Sequence, residues 1–284
     1  MGVANLNELL TFLNSLGTRA KKHLSQNFLI DQNILNKIVD TAQLEENDIV
    51  LEIGAGPGAL SEALLKTGAT LIAVEKDPIF AQALNRFKTE YPKSEFFCDD
   101  ICTFDIAACI RPRLLPGKKA KVIANLPYQL TSPILAQFLP LHELFSDLIF
   151  MVQEEVAQRI VAPAGSSEYS SLSLFVKVYS EPFYAFKVSH NCFHPKPKVD
   201  SAIVKLKLHE PPAVSDLESF FKVTRTAFQH RRKMLRSSLS KLYSSTAIKI
   251  ALGKAQLPET TRPEEITLTQ FITFFEYLRL PELV

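Results

Sequence analysis

The chain has 284 residues, 46% of them apolar, and a formal net charge of +2. That length and composition suit a large domain, or a domain with a smaller companion, and exclude a disordered chain. Its four cysteines (Cys98, Cys102, Cys109 and Cys192) form no C-x-x-C pair, no apolar run is long enough to span a bilayer, and Leu6 stands where a myristoylation signal needs Ser or Thr. Free thiols in a cytoplasmic protein with no membrane segment and no signal peptide are therefore expected.

Leu6, Leu9, Leu10, Leu13 and Leu16 recur at helical spacing and predict a short amphipathic helix over residues 5–16. Whether it packs or remains a mobile arm is left open. Arg19 to Asp31 opens basic and continues as Ser25-Gln26-Asn27-Phe28-Leu29, a loop before a helix capped by Asp31 and running to about Ala42. Ile49–Ile53 reads as a buried strand, Gly54-Ala55-Gly56-Pro57-Gly58-Ala59 as a tight turn, and Leu60–Lys66 as a helix. Glycines there allow positive φ and close approach of the backbone to a ligand. The next strand, Thr70–Val74, ends on Glu75, where an acid can take both hydroxyls of a ribose. Together these features point to a nucleotide-like cofactor, either NAD or S-adenosylmethionine, because Gly54, Gly56 and Ala59 also satisfy the dinucleotide pattern.

A helix from Pro78 to about Tyr91 and a strand Glu95–Cys98 follow, ending in Asp99-Asp100, whose carboxylates can accept from an adenine amino group. Val122-Ile123-Ala124-Asn125-Leu126-Pro127-Tyr128 is the stretch around which the chain is organised. An apolar strand ends on an amide, and Pro127 stops the ladder. In open α/β sheets the ligand lies beyond the carboxyl ends of the strands, so Asn125 and Tyr128 should face it. An amide oxygen with a backbone carbonyl can accept both hydrogens of an aromatic amino group, and a tyrosine can stack on the ring, which suggests methylation of an exocyclic amine. Taken alone, the four residues also fit a plain turn in which Asn125 only starts the turn and Tyr128 only packs.

A helix from Ser132 to about Leu141, a strand Leu148–Val152 and a helix Gln153–Val161 complete an alternating β/α pattern, hence a mainly parallel sheet covered on both faces. Strands are expected at Phe183–Val188 and Ala202–Leu208, around a proline-bearing loop with His190, Cys192, Phe193 and His194. The prolines prevent the helix that would align the histidines, so no metal is expected. Phe193 is either a stacking residue or a plug into the core. After Pro211-Pro212, helices are predicted over about 217–229, 232–242, 246–253 and 264–279. Charge is uneven. Residues 1–184 hold 16 Lys+Arg and 21 Asp+Glu, and residues 185–284 hold 16 and 9. The basic corner Arg231-Arg232-Lys233 with Arg236 suits contacts to phosphates.

The ordered set of motifs resembles the ribosomal RNA adenine dimethyltransferase family, from about Lys21 to the end. Its members here are Ser25-Gln26-Asn27-Phe28-Leu29, Leu51-Glu52-Ile53-Gly54-Ala55-Gly56-Pro57-Gly58, Glu75, Asp100, Asn125-Leu126-Pro127-Tyr128, Phe193 with Pro195 to Ser201, and Arg231-Arg232-Lys233. The Phe193 loop and the helical C-terminal part look most like the family's bacterial branch, which dimethylates two adjacent adenosines near the 3′ end of 16S rRNA. The resemblance implies a Rossmann-like α/β methyltransferase sheet over residues 1–212 and a small all-helical RNA-binding domain over 213–284. It implies S-adenosylmethionine held by Asn27, Leu29, Gly54, Glu75, Asp100 and Asn125. It further implies a target base held by Asn125, Leu126, Pro127, Tyr128 and Phe193, and rRNA contacts from Arg231, Arg232, Lys233 and Arg236. A monomer acting on the immature small ribosomal subunit without a metal is expected.

Asp99 beside Asp100 leaves an ambiguity of one position, and the spacing to Thr103-Phe104 favours Asp100. Ser25 departs from a family pattern in which glycine often stands, a change that is harmless unless the backbone there needs positive φ. The rival expectations are a 23S rRNA adenine methyltransferase of the antibiotic-resistance type, a non-catalytic assembly factor on the same scaffold, and an NAD-dependent oxidoreductase.

Overall fold

The structure, a computed structural model, describes residues 3–21, 24–230 and 233–279. Contacts divide the chain into two compact units, Met1–Ala157 with Glu181–His209 and Gln158–Ser180 with Glu210–Val284. The second unit therefore also takes residues 158–180, which a single boundary after 212 leaves in the first.

In chain order the elements of the first unit begin with helix α1 (Leu6–Ser15), strand β1 (Phe28–Leu29), α2 (Gln32–Ala42), β2 (Ile49–Ile53), α3 (Ala59–Leu65) and β3 (Thr70–Glu75). They continue with α4 (Pro78–Leu84), β4 (Glu95–Cys98), α5 (Ile106–Ile110), β5 (Ala120–Asn125), α6 (Thr131–Phe138), β6 (Phe145–Gln153) and α7 (Glu154–Val161), which runs on into the second unit. Past α8 (Ser171–Tyr179), strands β7 (Ser180–Val188), β8 (Phe193–His194) and β9 (Ser201–Leu208) follow. Seven strands form one sheet in the order β4-β3-β2-β5-β6-β9-β7. Pairing is parallel from β4 to β6 and antiparallel between β6 and β9.

The sequence explains this order. Val50, Leu51, Ile72, Val122, Ile123 and Leu148 are fully buried, as continuous apolar runs in a parallel sheet require. The chain steps outward from β2 to β3 and β4, then crosses back to β5 on the other side of β2. Strand order reverses between β2 and β5, and at such a switch point the diverging connections leave a crevice for a ligand. Register sets what flanks it. Ile53 pairs with Ala124 on one side and with Val74 on the other, so Gly54, Asn125 and Glu75 emerge together at the carboxyl edge.

Caps agree with the sequence. Asp31 accepts from the Asn33 and Ile34 N–H groups at 2.9 and 3.2 Å, and Asp77 caps α4 with Pro78 in its first turn. The N-terminal residues form a packed helix rather than an arm: Leu9 and Leu13 bury against Phe28 and Phe80, whose rings meet edge to face at 5.3 Å.

The second unit is helical. It comprises α8 with α9 (Leu217–Phe228), α10 (Leu235–Ser238), α11 (Ser245–Lys254) and α12 (Leu268–Leu278) around buried Phe220, Phe271, Phe274 and Phe275. Two predicted helices are shorter than expected. Over 232–242, α10 covers only Leu235–Ser238 among the described residues, in a stretch rich in serines that bond locally to the backbone. Over 264–279, Thr267 and Gln270 form a capping box that starts α12 afresh after a single 3₁₀ turn.

Candidate active site

Asn27, Leu29, Gly54, Glu75, Asp100, Asn125, Leu126, Pro127 and Tyr128 all line one cavity at the carboxyl edge of β2, β3 and β5. Nine positions spread over a hundred residues of sequence thus converge on one cleft. Its floor is the glycine turn. Gly54 has φ +69°, and nothing lies within 4 Å of where a side chain would stand, so the turn leaves a cradle open to a ligand. Glu75 is buried beneath the turn. One carboxylate oxygen accepts the Gly56 N–H at 2.8 Å and the other the Asp77 N–H at 2.7 Å. Burial raises its pKa, with these backbone bonds opposing the shift.

Glu52, one strand position before Ile53, belongs to the glycine-turn motif, which by itself assigns it no role. It lines the cavity, is 1% exposed and accepts the Ser61 hydroxyl at 2.6 Å. Burial, and to a lesser degree the nearby Glu75 charge, push its pKa up to about 8 against the Ser61 bond. It therefore keeps its proton at neutral pH. The signal in the sequence is an acid inside an otherwise apolar strand.

One wall is the segment 24–29. The Gln26 amide and the Lys21 ammonium both reach the Asp77 carboxylate, at 3.0 and 2.8 Å, and Gln26 Oε1 accepts the Lys21 N–H at 2.8 Å. Burial works against ionisation of Asp77, but its bonds from Lys21, Gln26 and the Ile79 N–H hold its pKa below the usual carboxylate range. Leu29 pairs with Phe193, and the Ile30 N–H donates to the Cys192 carbonyl at 2.8 Å. Ser25 sits at φ +52°, the one condition under which its departure from glycine matters. Val3 and Leu9 of the N-terminal segment also reach the cavity.

The opposite wall is 125–130. Asn125 is half-buried and donates from Nδ2 to the Asn27 carbonyl at 3.2 Å, leaving its amide oxygen as an acceptor. The Leu126 N–H bonds the Met151 carbonyl at 3.2 Å, and Tyr128 begins a 3₁₀ turn closed by Leu130 N–H to Pro127 O at 2.8 Å. At the far rim Asp100 is half-buried. Its Oδ2 pairs with Lys76 at 2.7 Å and its Oδ1 takes the Cys102 N–H at 3.0 Å. The Lys76 bond is the largest cause holding the Asp100 pKa down. Asp99 lines the same rim and is exposed.

Phe193 is a correction. It does not line the cavity; it is 2% exposed and packs in the core with Leu35, Ile38 and Ile203. Its pairing with Leu29 in β1 turns the ring inward, so of the two expectations for it the structure has the core plug. Arg231 and Arg232 lie outside the described residues. Lys233 and Arg236 are exposed, Arg236 within 3.6 Å of Glu259. Among the described residues no three His, Cys, Asp or Glu side chains are grouped to hold a metal ion, and no helix is long and apolar enough to cross a membrane.

A mainly parallel sheet with its cavity at the switch point is a Rossmann-like fold, and the family to which the chain belongs makes it that of a methyltransferase. The chain belongs to the ribosomal RNA adenine dimethylase family, whose model matches residues 17–280. It is 50% identical over 278 residues, 98% of each chain, to a ribosomal RNA small subunit methyltransferase A of Protochlamydia amoebophila. It is 42% identical over 282 residues to the protein of that name from Chlamydia muridarum, covering 98% of this chain and 99% of that one. Among solved structures it resembles a dimethyladenosine transferase from Plasmodium falciparum (TM-score 0.70, 26% identity, 87% of this chain and 95% of that one). It also resembles the 23S rRNA methyltransferase ErmE (TM-score 0.69, 26% identity, 89% of this chain and all of that one).

Proposed function

We propose that the chain transfers methyl groups from S-adenosylmethionine to N6 of two adjacent adenosines near the 3′ end of 16S rRNA, acting in the cytoplasm as a monomer on the immature small subunit. The observation that carries this is the convergence of the cofactor motifs and Asn125-Leu126-Pro127-Tyr128 on one cavity. The small-subunit substrate is supported by the names of the relatives at 50% and 42% identity, against 26% for the 23S enzyme.

The cavity fits such a cofactor. The open cradle at Gly54 suits close backbone approach, and each Glu75 oxygen, having accepted one backbone N–H, keeps a lone pair for a ribose hydroxyl. Asn27 and Leu29 would flank its methionine end and Asp100 would meet its adenine. Bound there, it would supply an electrophilic methyl on a sulfonium. The protein's part is placement. The Asn125 amide oxygen and the Leu126 carbonyl accept the two N6 hydrogens, which turns the nitrogen lone pair out of ring conjugation and toward the methyl. Tyr128 stacks on the base. Catalysis is mainly orientation and exclusion of solvent. In the helical domain, Arg231, Arg232, Lys233 and Arg236 contact phosphates.

The test is transfer of labelled methyl to small subunits that lack the modification, with mass spectrometry of the 3′ rRNA fragment. Two dimethyladenosines are expected. Label in 23S rRNA instead would overturn the reading in favour of the resistance type, and tight subunit binding without transfer to any RNA would favour an assembly factor.

A further inference from the structure

Tyr128 is held from behind. Its hydroxyl shares a 2.8 Å hydrogen bond with the Ser201 hydroxyl, and Ser201 is fully buried at the start of β9, in register with Gln153 of β6. The residue before it is tied from several sides. The Asp200 carboxylate accepts the His190 N–H at 2.9 Å, lies 2.6 Å from His190 Nδ1 and 3.0 Å from Lys187 Nζ, and the Asp200 carbonyl accepts the Glu154 N–H at 3.1 Å. Ser201 therefore offers a fixed oxygen, anchored to β6, β7 and the start of α7. Tyr128, by contrast, sits half-buried in a single 3₁₀ turn. A side chain mounted on one turn can swing about its Cα–Cβ bond among staggered rotamers, so the turn alone sets the direction of the ring axis loosely. A bond at the far end of the side chain, where the hydroxyl oxygen lies on that axis, holds it in place.

We propose that Ser201 is a positioning residue that fixes the direction of the Tyr128 ring axis, hence where the ring lies against the target base, and thereby governs whether the product stops at monomethyladenosine or proceeds to dimethyladenosine. The inference rests on the reading of Tyr128 as the residue that stacks on the target base. In the first transfer, N6 offers two hydrogens to two acceptors, so hydrogen bonds alone go far toward orienting it. In the second, one hydrogen is gone and a methyl must be accommodated beside the nitrogen. One hydrogen bond then remains, and the ring face carries more of the alignment. A tilted or mobile ring costs the second transfer more than the first.

The experiment measures single-turnover rates of both transfers, and the ratio of mono- to dimethyladenosine, for Ser201→Ala, Tyr128→Phe, the double variant and Tyr128→Ala. Loss of one neutral hydrogen bond is expected to slow the second transfer by about three- to tenfold, with a smaller effect on the first, so that the monomethyl product accumulates. Ser201→Ala and Tyr128→Phe should behave alike, and the double variant no worse than either, because all three remove the same bond. A general loss of folded protein would lower both rates together and leave the ratio alone. Tyr128→Phe does not alter β9, so it carries the test if Ser201→Ala folds poorly. A wild-type ratio in Tyr128→Phe, or effects that multiply in the double variant, would overturn the proposal. Tyr128→Ala examines the underlying reading separately. It should cripple both transfers, and wild-type rates there would remove the stacking role itself.

Discussion

The two walls of the cavity are built in different ways. Asn125 to Tyr128 continue β5, a strand paired on both sides inside a parallel sheet, so their placement is inherited from the core. Residues 25–29 have no helix or strand beyond the two residues of β1. They are assembled by point contacts from distant parts of the chain: Lys21 and Gln26 to Asp77, Phe28 against Phe80, and Leu29 opposite Phe193. A bond from Asn125 to the Asn27 carbonyl joins the two. The wall to which the proposed function assigns the reacting nitrogen is thus mounted rigidly. The wall on the cofactor side is held by contacts that can be removed one at a time.

The hardest test of this contrast is Asn125→Ala. It deletes the proposed acceptor for N6 and the bond to the opposite wall without touching the strand ladder. Methyl transfer should fall by about 10²–10³-fold or more, as for loss of a preorganised polar group, while RNA affinity stays near wild type. Rate by label incorporation and affinity by filter binding check it, and equal loss of both would deny Asn125 its role.

Asp77→Ala attacks the other wall. It strips the shared partner from Lys21 and Gln26 and the cap from α4, at a cost of about 2–4 kcal/mol. The KM for S-adenosylmethionine should rise more than kcat falls, because the wall it loosens lies on the cofactor side. A lowered melting temperature with an unchanged KM would mean that the latch is structural only.

Glu52 lines the same cavity and makes its floor sensitive to pH. Its folded pKa of about 8 lies above the ordinary 4.5, so the folded protein holds a proton that the unfolded chain has lost across that window. Stability from this group is therefore fully present below about pH 4.5 and declines as pH rises to about 8. The full loss is on the order of a few kcal/mol. Glu52→Gln keeps an acceptor for Ser61 and removes the titration. The variant should gain stability over wild type at pH 8.5, and the gap should close at pH 5. A gap independent of pH, by thermal melts at both, would assign the effect to packing.

The same contrast explains what could be read from the sequence. Strand ends are legible, because apolar runs closed by Gly54, Glu75 and Asn125 announce both a strand and its carboxyl edge, and the switch point then brings them together. Asn27 was placed only by resemblance, since nothing local says that a loop before α2 folds back onto β5. Phe193 was ambiguous for a related reason: its direction depends on pairing with Leu29, far away in sequence. Helix α8 carries no helical signature in the sequence. Ser171-Leu172-Ser173-Leu174 alternates with period two, and the helix is fixed instead by the Ser170–Ser173 capping box and by packing such as Phe175 on Phe221 at 5.0 Å. Lys76, which engages Asp100, and Arg86 carry no motif. The Arg86 guanidinium lies over the rings of Phe12 and Phe87 and donates to the Pro57 carbonyl at 2.5 Å.

Ser25 gives the smallest and sharpest test. A left-handed backbone costs a residue with a Cβ roughly 1–2 kcal/mol, and glycine avoids most of that while giving some back through greater freedom when unfolded. Ser25→Gly should therefore stabilise the protein by about 0.5–1 kcal/mol, and a β-branched residue at the same site should destabilise it by at least as much. The strain sits in the wall held by point contacts, so its relief should leave the strand-borne wall alone: kcat should not change, and any kinetic effect should appear in the KM for S-adenosylmethionine. Thermal melts with steady-state kinetics on Ser25→Gly and Ser25→Val decide the matter. If glycine there is neutral or destabilising, the serine hydroxyl contributes a local contact that outweighs the backbone strain. If instead kcat moves, the two walls are coupled more tightly than the bond between Asn125 and Asn27 implies.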